Sequence, residues 1–432
     1  MVVYPYLINN GFTLYKDIIN PYPPFFSYSL SVFTRFFGYN PLVFQILTWA
    51  TIVLIDLSVY FVTKKLFKKK IYAGTAVIFF TLVSTAFGIN GLWFDLVQAP
   101  LIILSIYSFY LFLKTKKLLN LNYSLTSLTF AFFIKQQVIW LALVFVIIIF
   151  LRYKQRGFKI LANSYKPIIF FALILTFQLL IFWQKNILSD FLYWTFYFPF
   201  MVTSHASGYI SLPTIKQLLI ILTLFIVFIP TVLKDQNTGK FLIGTAGVLL
   251  VFAFPRFDYF HLIPTLGILA IVFGKNIDNL KSQKPLLKFI SIFALVAITV
   301  FSARLIVRNW QKETRFFENE IYQAAKVIDL TTDKNERVYI QNGPDQVLSI
   351  AQRLPPKPWA DEFPWYLENT NLQTKVTEGI ETGNVRLILF KPYNDGPDFG
   401  LGSYQPKKIV EFINQNYNNL SQISESLWLK SR

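Results

Sequence analysis

The chain has 432 residues, 54% of them hydrophobic, with a mean hydropathy of +0.46 and a net charge of +18. Apolar stretches of roughly 17–22 residues recur along it, a length that crosses a ~30 Å hydrocarbon core at 1.5 Å per residue, so an ordinary soluble domain is excluded. Residues 1–312 hold 28 Lys and Arg against 7 Asp and no Glu, whereas residues 313–432 hold 13 basic against 16 acidic residues. The excess charge sits in short loops between apolar spans, as the positive-inside rule expects. No basic patch marks the polar tail, which argues against a nucleic-acid partner. Without cysteine there are neither disulfides nor thiolate metal sites.

The first ten residues, MVVYPYLINN, carry no basic n-region and do not read as a signal peptide. Residues 11–40, GFTLYKDIINPYPPFFSYSLSVFTRFFGYN, are rich in aromatics and proline and carry one Lys16–Asp17 pair. They read as a loop with an interfacial helix on the membrane face, with Asp17 held just outside the first span. The spans then follow in order.

Pro41 to Thr63 ends in Lys64, Lys65, Lys68, Lys69 and Lys70, and that end is expected in the cytoplasm. Ile71 to Gly88 returns outward to INGLWFDLVQ with Asp95, and Ala99 to Leu113 goes in to Lys114, Lys116 and Lys117. Ser124 to Ile134 reaches out to Lys135, and Val138 to Leu151 returns to Arg152, Lys154, Arg156 and Lys159. Pro167 to Trp183 leads to a long outer loop carrying Asp190, the aromatic run FLYWTFYFPF and His205. Leu218 to Leu233, Phe241 to Phe254, Leu262 to Phe273 and Phe289 to Ile306 complete about ten spans, the third of these four preceded by the outer loop PRFDY. The inward loops carry 19 Lys and Arg and the outward loops six, which places the first loop and the C-terminal region outside. Spans shorter than 18 residues must be packed inside a bundle.

The tail changes character at residue 313: every Glu lies at or beyond it. Arg337–Gly343 and Val385–Lys391 read as buried strands by β-branched content. Gln346–Leu354 and Lys407–Tyr417 read as amphipathic helices, and PPKPW after Leu354 breaks the pattern. The tail has neither a Gly-rich phosphate loop nor a Ser-His-Asp set, since both histidines lie elsewhere. The expected organisation is therefore a first loop at 1–40, a transmembrane bundle at 41–312 and a small extracytoplasmic α/β domain at 313–432.

Six polar residues share one side of this scheme: Asp17, Asp95, Lys135, Arg256, Asp258 and His261. Each has a structural alternative. Asp17 suits a turn before PYPP as well as a general base or metal ligand. Asp95 suits a helix N-cap, Lys135 an interfacial lysine with few acids nearby, and Arg256–Asp258 a loop-fixing pair. Arg256 equally suits a phosphate clamp, because its planar paired donors match phosphate oxygens. Asp56, inside the first span, is costly unless it faces the bundle interior or is paired, and reads as structural. Two histidines without HExxH-type spacing argue against a His-based metal site, and His205 reads as a loop residue. Outward acids beside outward cations fit a base that deprotonates an acceptor while cations stabilise a departing phosphate.

The order of GFTLYKDIINPYPP, a helix ending FFGYN, the outer WFD, FFIKQQ, PRFDYFHLIPTL and the tail ending LWLKSR resembles the GT-C superfamily of membrane glycosyltransferases, in its protein mannosyltransferase-like and aminoarabinose transferase-like branch. The resemblance covers nearly the whole chain. It implies a polytopic GT-C-like bundle, a polyprenyl-phosphate-linked sugar as donor, a lipid, glycan or protein acceptor, and inverting transfer on the extracytoplasmic face of a bacterial or archaeal plasma membrane. Carried over by motif, Asp17 and Asp95 are the catalytic acids, and Lys135, Arg256 and His261 the donor-phosphate ligands. No cofactor is certain, and a divalent metal is compatible with the outward acids. Such proteins have a further span ending in an outer acid ahead of the segment that begins here at Val2; the expectation is a start placed too late in the sequence. The alternatives are a transporter or flippase, against which no internal repeat is seen, and a non-catalytic membrane protein of surface-polymer assembly.

Overall fold

The computed structural model describes residues 2–88, 91–154, 156–205, 209–234, 237–310, 313, 317–361, 366–367, 369–392 and 406–432. Among these, seven helices are long and apolar enough to cross a membrane: Pro41–Phe67, Lys70–Phe87, Phe94–Thr115, Gln136–Tyr153, Tyr165–Gln184, Tyr259–Lys281 and Pro285–Asn309. Three shorter apolar helices, Leu118–Ile134, Ile215–Ile226 and Thr238–Ala253, fall on the remaining apolar stretches of the sequence. The chain is a polytopic helical membrane protein with a small C-terminal sheet region. Its helices extend beyond the apolar runs that announce them, because a backbone without water must continue its own hydrogen bonding. Leu118–Ile134, for example, begins six residues before the apolar run at Ser124.

One expected span is not continuous. The stretch 218–233 is split into Ile215–Ile226 and Ile229–Lys234. Pro230 is the cause: it lacks an N–H and crowds the carbonyl four residues before it. The freed backbone is satisfied by a buried polar set. Asn276 Nδ2 donates to the Val227 carbonyl at 2.9 Å, and Thr231 Oγ1 donates to Asn276 Oδ1 at 2.7 Å. Asn279 Nδ2 donates to Thr231 Oγ1 at 3.0 Å. The upstream end is closed by a capping box in which Thr214 and Gln217 exchange side-chain and backbone bonds.

The chain divides into two compact units. The first comprises Leu47–Gln178 and Leu212–Lys312. Its axis is the helix Ile263–Lys281, in which every residue from Ile263 to Gly274 is buried, as the unbroken apolar run IPTLGILAIVFG requires. Two glycines let neighbours approach it. A Cβ at Gly267 would lie 2.7 Å from the Ile103 Cδ1, and one at Gly274 would lie 2.5 Å from the Tyr72 backbone carbonyl. Small residues at such crossings are how apolar helices gain contact in lipid. Stacked rings fill the remaining space, Phe79 on Phe273 at 4.2 Å and Phe109 on Phe145 at 3.8 Å.

The second unit joins Met1–Ile46, Leu179–Ser211 and Glu313–Arg432. Its four-stranded sheet has the order Val338–Gln341, Leu387–Phe390, Trp428–Ser431, Asn418–Gln422, with the first pair parallel and the others antiparallel. The first two strands are wholly buried, as their apolar content predicts. Asn418–Gln422 is exposed at all five positions and carries no alternation, so only its ladder with Trp428–Ser431 makes it a strand. The helices read at 346–354 and 407–417 are Gln346–Ile350 and Lys407–Asn416; the first is shorter because Gln352 turns to φ 53°. Buried Ile187, Phe191, Trp194 and Phe198, spaced four, three and four apart, form one apolar stripe. That stripe shares a core with the first loop and the tail, which is why 179–211 groups with them and not with the 41–312 segment to which its position in the chain assigned it. Ile18–Ile19 pairs in parallel with Trp359–Ala360, a link that no local pattern announces.

Gly274→Ala is expected to lower the melting temperature in detergent far more than Gly267→Ala. The first methyl meets a fixed carbonyl and costs ~2–3 kcal/mol by forcing two helices apart, whereas the second meets the flexible end of Ile103. Thermal unfolding of the two purified variants followed by circular dichroism checks the order.

Candidate active site

Phe94–Thr115 and Leu118–Ile134 form an antiparallel hairpin with a two-residue turn, so the start of one helix lies beside the end of the other. Asp95 is the second residue of the first helix. Lys135 follows the last residue of the second with an extended backbone, φ −152° and ψ 123°. His261 lies in the short turn Tyr259–Leu262 that leads into the axial helix. The three meet. Lys135 Nζ lies 3.0 and 2.9 Å from the two Asp95 oxygens, and His261 Nδ1 lies 3.0 Å from Asp95 Oδ2. Lys135 Nζ is also 3.4 Å from His261 Nδ1. The Asp95 side chain is fully enclosed, that of Lys135 is 3% exposed and that of His261 14%.

Two sequence readings are corrected by this geometry. Asp95 does not cap its helix: Trp93 occupies the N-cap position and no side-chain cap bond is made. Lys135 does not snorkel at an interface; it is buried against a carboxylate contributed by a segment forty residues earlier. A charge in so dry a place is retained only when its partner is present and hydrogen-bonded. Gln98, one helical turn after Asp95, is fully buried with Nε2 3.5 Å from Asp95 Oδ1. Its i, i+3 spacing from the acid was the signal that could have singled it out. His261 turns Nδ1 toward Asp95, which leaves Nε2 as the ring atom able to meet a ligand.

Arg256 lies five residues before His261 in the loop following Thr238–Ala253 and is half-buried. Burial pulls its guanidinium down from its ordinary value, and the nearby Asp258 carboxylate opposes that shift. Gln137 Nε2 donates to the Phe254 carbonyl at 2.9 Å, tying this loop to the turn after Lys135.

Asp17 belongs to the other compact unit. Its Oδ2 accepts from the Thr13 N–H at 2.9 Å and from Lys357 Nζ at 2.8 Å, while its own N–H donates to the Thr13 carbonyl. It closes the first-loop turn and binds the tail through Lys357, which the sequence showed only as part of a chain-breaking PPKPW. His205 is exposed at the end of the turn Thr203–His205. Asp56 is half-buried in Pro41–Phe67, and its Oδ1 is enclosed without a hydrogen-bond partner among the described residues.

Among the described residues no three His, Asp or Glu side chains gather as a metal site, and the one carboxylate of the buried cluster is occupied by Lys135 and His261.

The chain matches no protein-family profile and no curated protein. Solved structures do resemble it. ArnT from Cupriavidus metallidurans in the apo state superposes with a TM-score of 0.64 at 10% identity, covering 100% of this chain and 92% of that one. The same protein bound to undecaprenyl phosphate gives 0.60 at 9% identity, covering 95% and 88%. The Archaeoglobus fulgidus oligosaccharyltransferase tethered to an acceptor peptide gives 0.53 at 10% identity, covering 97% and 68%. The chain thus shares its fold with ArnT and with the archaeal oligosaccharyltransferase.

The buried pair predicts a strong coupling. Asp95→Asn and Lys135→Met are each expected to destabilise the bundle by ~3–5 kcal/mol, because each strands the other charge. The double variant is expected to be at least ~2 kcal/mol better than the sum of the two. A double-mutant cycle on unfolding free energies measures the coupling directly.

Proposed function

We propose that this protein is an integral membrane glycosyltransferase that moves a sugar from a polyprenyl-phosphate donor to a lipid, glycan or protein acceptor on the extracytoplasmic face. The observation that carries the reading is the buried Asp95–Lys135–His261 cluster, set in a GT-C fold where two helix ends and a loop meet. That ArnT of this fold binds undecaprenyl phosphate supports a lipid phosphate as the ligand.

The chemistry follows from the charges. The acceptor oxygen or nitrogen attacks the anomeric carbon and the bond from that carbon to the phosphate oxygen breaks. The electron pair stays on the phosphate, the polyprenyl phosphate leaves as an anion, and the acceptor's proton passes to a base. Cations placed where negative charge grows lower the barrier most, and they act most strongly where water is excluded. Lys135, His261 through Nε2, and Arg256 are the groups assigned to the departing phosphate. Asp95 holds Lys135 and His261 in place; both its oxygens are engaged, so acting as the base would require it to release Lys135. Asp17 keeps the first loop in register with the tail.

Transfer of sugar from radiolabelled polyprenyl-phosphate sugar by the purified full chain tests the site. Lys135→Met and Arg256→Ala are expected to lose ~10²-fold or more in rate, in line with the removal of one transition-state donor elsewhere. Asp95→Asn and Asp17→Asn are expected to lose activity as well, the first through Lys135 and the second through the loop. Undiminished transfer by Lys135→Met, Arg256→Ala and Asp95→Asn together would overturn the assignment.

Sidedness has its own test, because the chain has no cysteine to remove first. Lys16→Cys is expected to react with a membrane-impermeant maleimide in intact cells, and Lys68→Cys only after permeabilisation. The reverse pattern would invert the orientation.

A further inference from the structure

Among the described residues, three helix ends on one side of the bundle are closed by the same residue type with a positive φ. Pro41–Phe67, Phe94–Thr115 and Gln136–Tyr153 are followed by Lys68, Lys116 and Lys154, at φ 58°, 59° and 50°. Their N–H groups donate to the carbonyls of Lys64, Phe112 and Phe150, four residues back, at 2.9, 2.8 and 2.8 Å. The next helices begin two residues after each lysine, at Lys70, Leu118 and Arg156. Lys70–Phe87 and Leu118–Ile134 each carry the chain back across. The three ends therefore fall on one side, which the lysine distribution assigns to the cytoplasm.

A positive φ suits glycine or asparagine, because a long side chain there crowds the backbone; a lysine in that place is kept against its conformational preference. In this compact unit the described non-glycine residues with positive φ are these three lysines, whereas three of the five in the other unit are asparagine. Attraction to the negative end of a helix does not account for them. Lys64, Lys114 and Arg152 already stand in the last turns.

All three lysines are exposed, and the segments 64–70, 114–117 and 152–159 contain no acidic residue. Asp278, at the end of the axial helix, is engaged by Lys69 and Lys281 at 3.6 and 3.2 Å. Three residues from each lysine an aliphatic side chain lies open: Ile71 is 70% exposed, Leu119 58% and Leu151 76%. Each turn thus sets an ammonium close in sequence to an uncovered apolar side chain. A soluble anion uses only the first; a phospholipid uses both.

We infer that Lys68, Lys116 and Lys154 form a seat for anionic phospholipid, each ammonium holding a headgroup phosphate while acyl chains lie against Ile71, Leu119 and Leu151. The positive φ lets each helix end within two residues of the next, so the lysine stays at the end of its span, at headgroup level. A zwitterionic lipid brings its own ammonium into a lysine-rich surface, so a net negative headgroup is favoured. The seat does not depend on the transferase reading.

The full chain in detergent micelles is titrated with dioleoyl phosphatidylglycerol, dioleoyl phosphatidylcholine and glycerol phosphate, and native mass spectrometry reads what is bound. Phosphatidylglycerol is expected to bind about fivefold tighter than phosphatidylcholine or better, and glycerol phosphate not to bind. Lys68→Asn, Lys116→Asn and Lys154→Asn together remove three charges and keep a residue that tolerates positive φ. That variant is expected to lose about tenfold or more in phosphatidylglycerol binding, each lysine near a membrane surface being worth about fivefold. Its melting temperature is expected to hold or rise. Lys65→Gln, Lys70→Gln and Lys117→Gln together remove as many charges at or beside the same turns and are expected to lose less than about threefold. Equal losses in the two variants would mean diffuse attraction and overturn the seat. Undiminished binding by the first variant, phosphatidylcholine bound as tightly as phosphatidylglycerol, or glycerol phosphate bound like the lipid would each do the same. A lowered melting temperature with lipid binding intact would assign the lysines to their helix ends and overturn the seat as well.

Discussion

A carboxylate and an ammonium, both cut off from water, hold the centre of this structure. Neither Asp95 nor Lys135 would be tolerated alone at this depth, because an uncompensated charge in a low-dielectric interior loses its hydration and receives nothing in return. Together they require the hairpin between residues 94 and 134 to close in one register, since a slip of one residue on either helix would rotate a charge into hydrocarbon. His261 adds the axial helix to the same constraint through a 3.0 Å contact with Asp95. A buried ion pair of this kind contributes little net stability; what it does is specify which helix ends meet. In a bundle held mostly by apolar contacts that slide easily past one another, such a specification matters.

In the proposed transferase the constraint also prepares the site. Lys135, fixed at both oxygens of Asp95, would meet the donor phosphate without the reorganisation that a free lysine needs. His261 is oriented by the same carboxylate, so its second nitrogen is directed away from it. Charge and orientation therefore descend from one short contact. The Gln137 bond to the Phe254 carbonyl extends the same frame to the loop carrying Arg256. In the other compact unit a comparable tie is made by Asp17, whose carboxylate joins a turn of the first loop to Lys357 of the tail while Ile18–Ile19 pairs with Trp359–Ala360.

The break at Pro230 shows how the bundle handles backbone that cannot bond to itself. Asn276 and Asn279 of the axial helix and Thr231 of the broken one form a connected set at the Val227 carbonyl. Polar side chains in such a helix are read from sequence as candidates for chemistry. Here their partners identify them as the repair of a helix break. The same test, asking what each buried polar atom bonds, separates these asparagines from the Trp93 N–H, which has no partner among the described residues.

The number and position of the apolar helices were determined by the sequence alone, because the length of a span and the placement of lysine around it are local, one-dimensional properties. So were the two wholly buried strands of the tail, whose apolar residues are continuous, and the resemblance carried by the order of WFD, FFIKQQ and PRFDYFH. The sequence also placed Asp95, Lys135 and His261 at helix ends that face the same way. It could not show that they touch, because a contact over forty or over 166 residues depends on how helices cross, and that is decided by packing. For the same reason Lys135 read as a lone interfacial cation and Asp95 as a cap. The fully exposed strand Asn418–Gln422, the parallel link between the first loop and the tail, and the Trp93 indole, which makes no hydrogen bond among the described residues, left no trace in local pattern. Each is defined by what lies across from it in space, and only the tertiary structure supplies that neighbour.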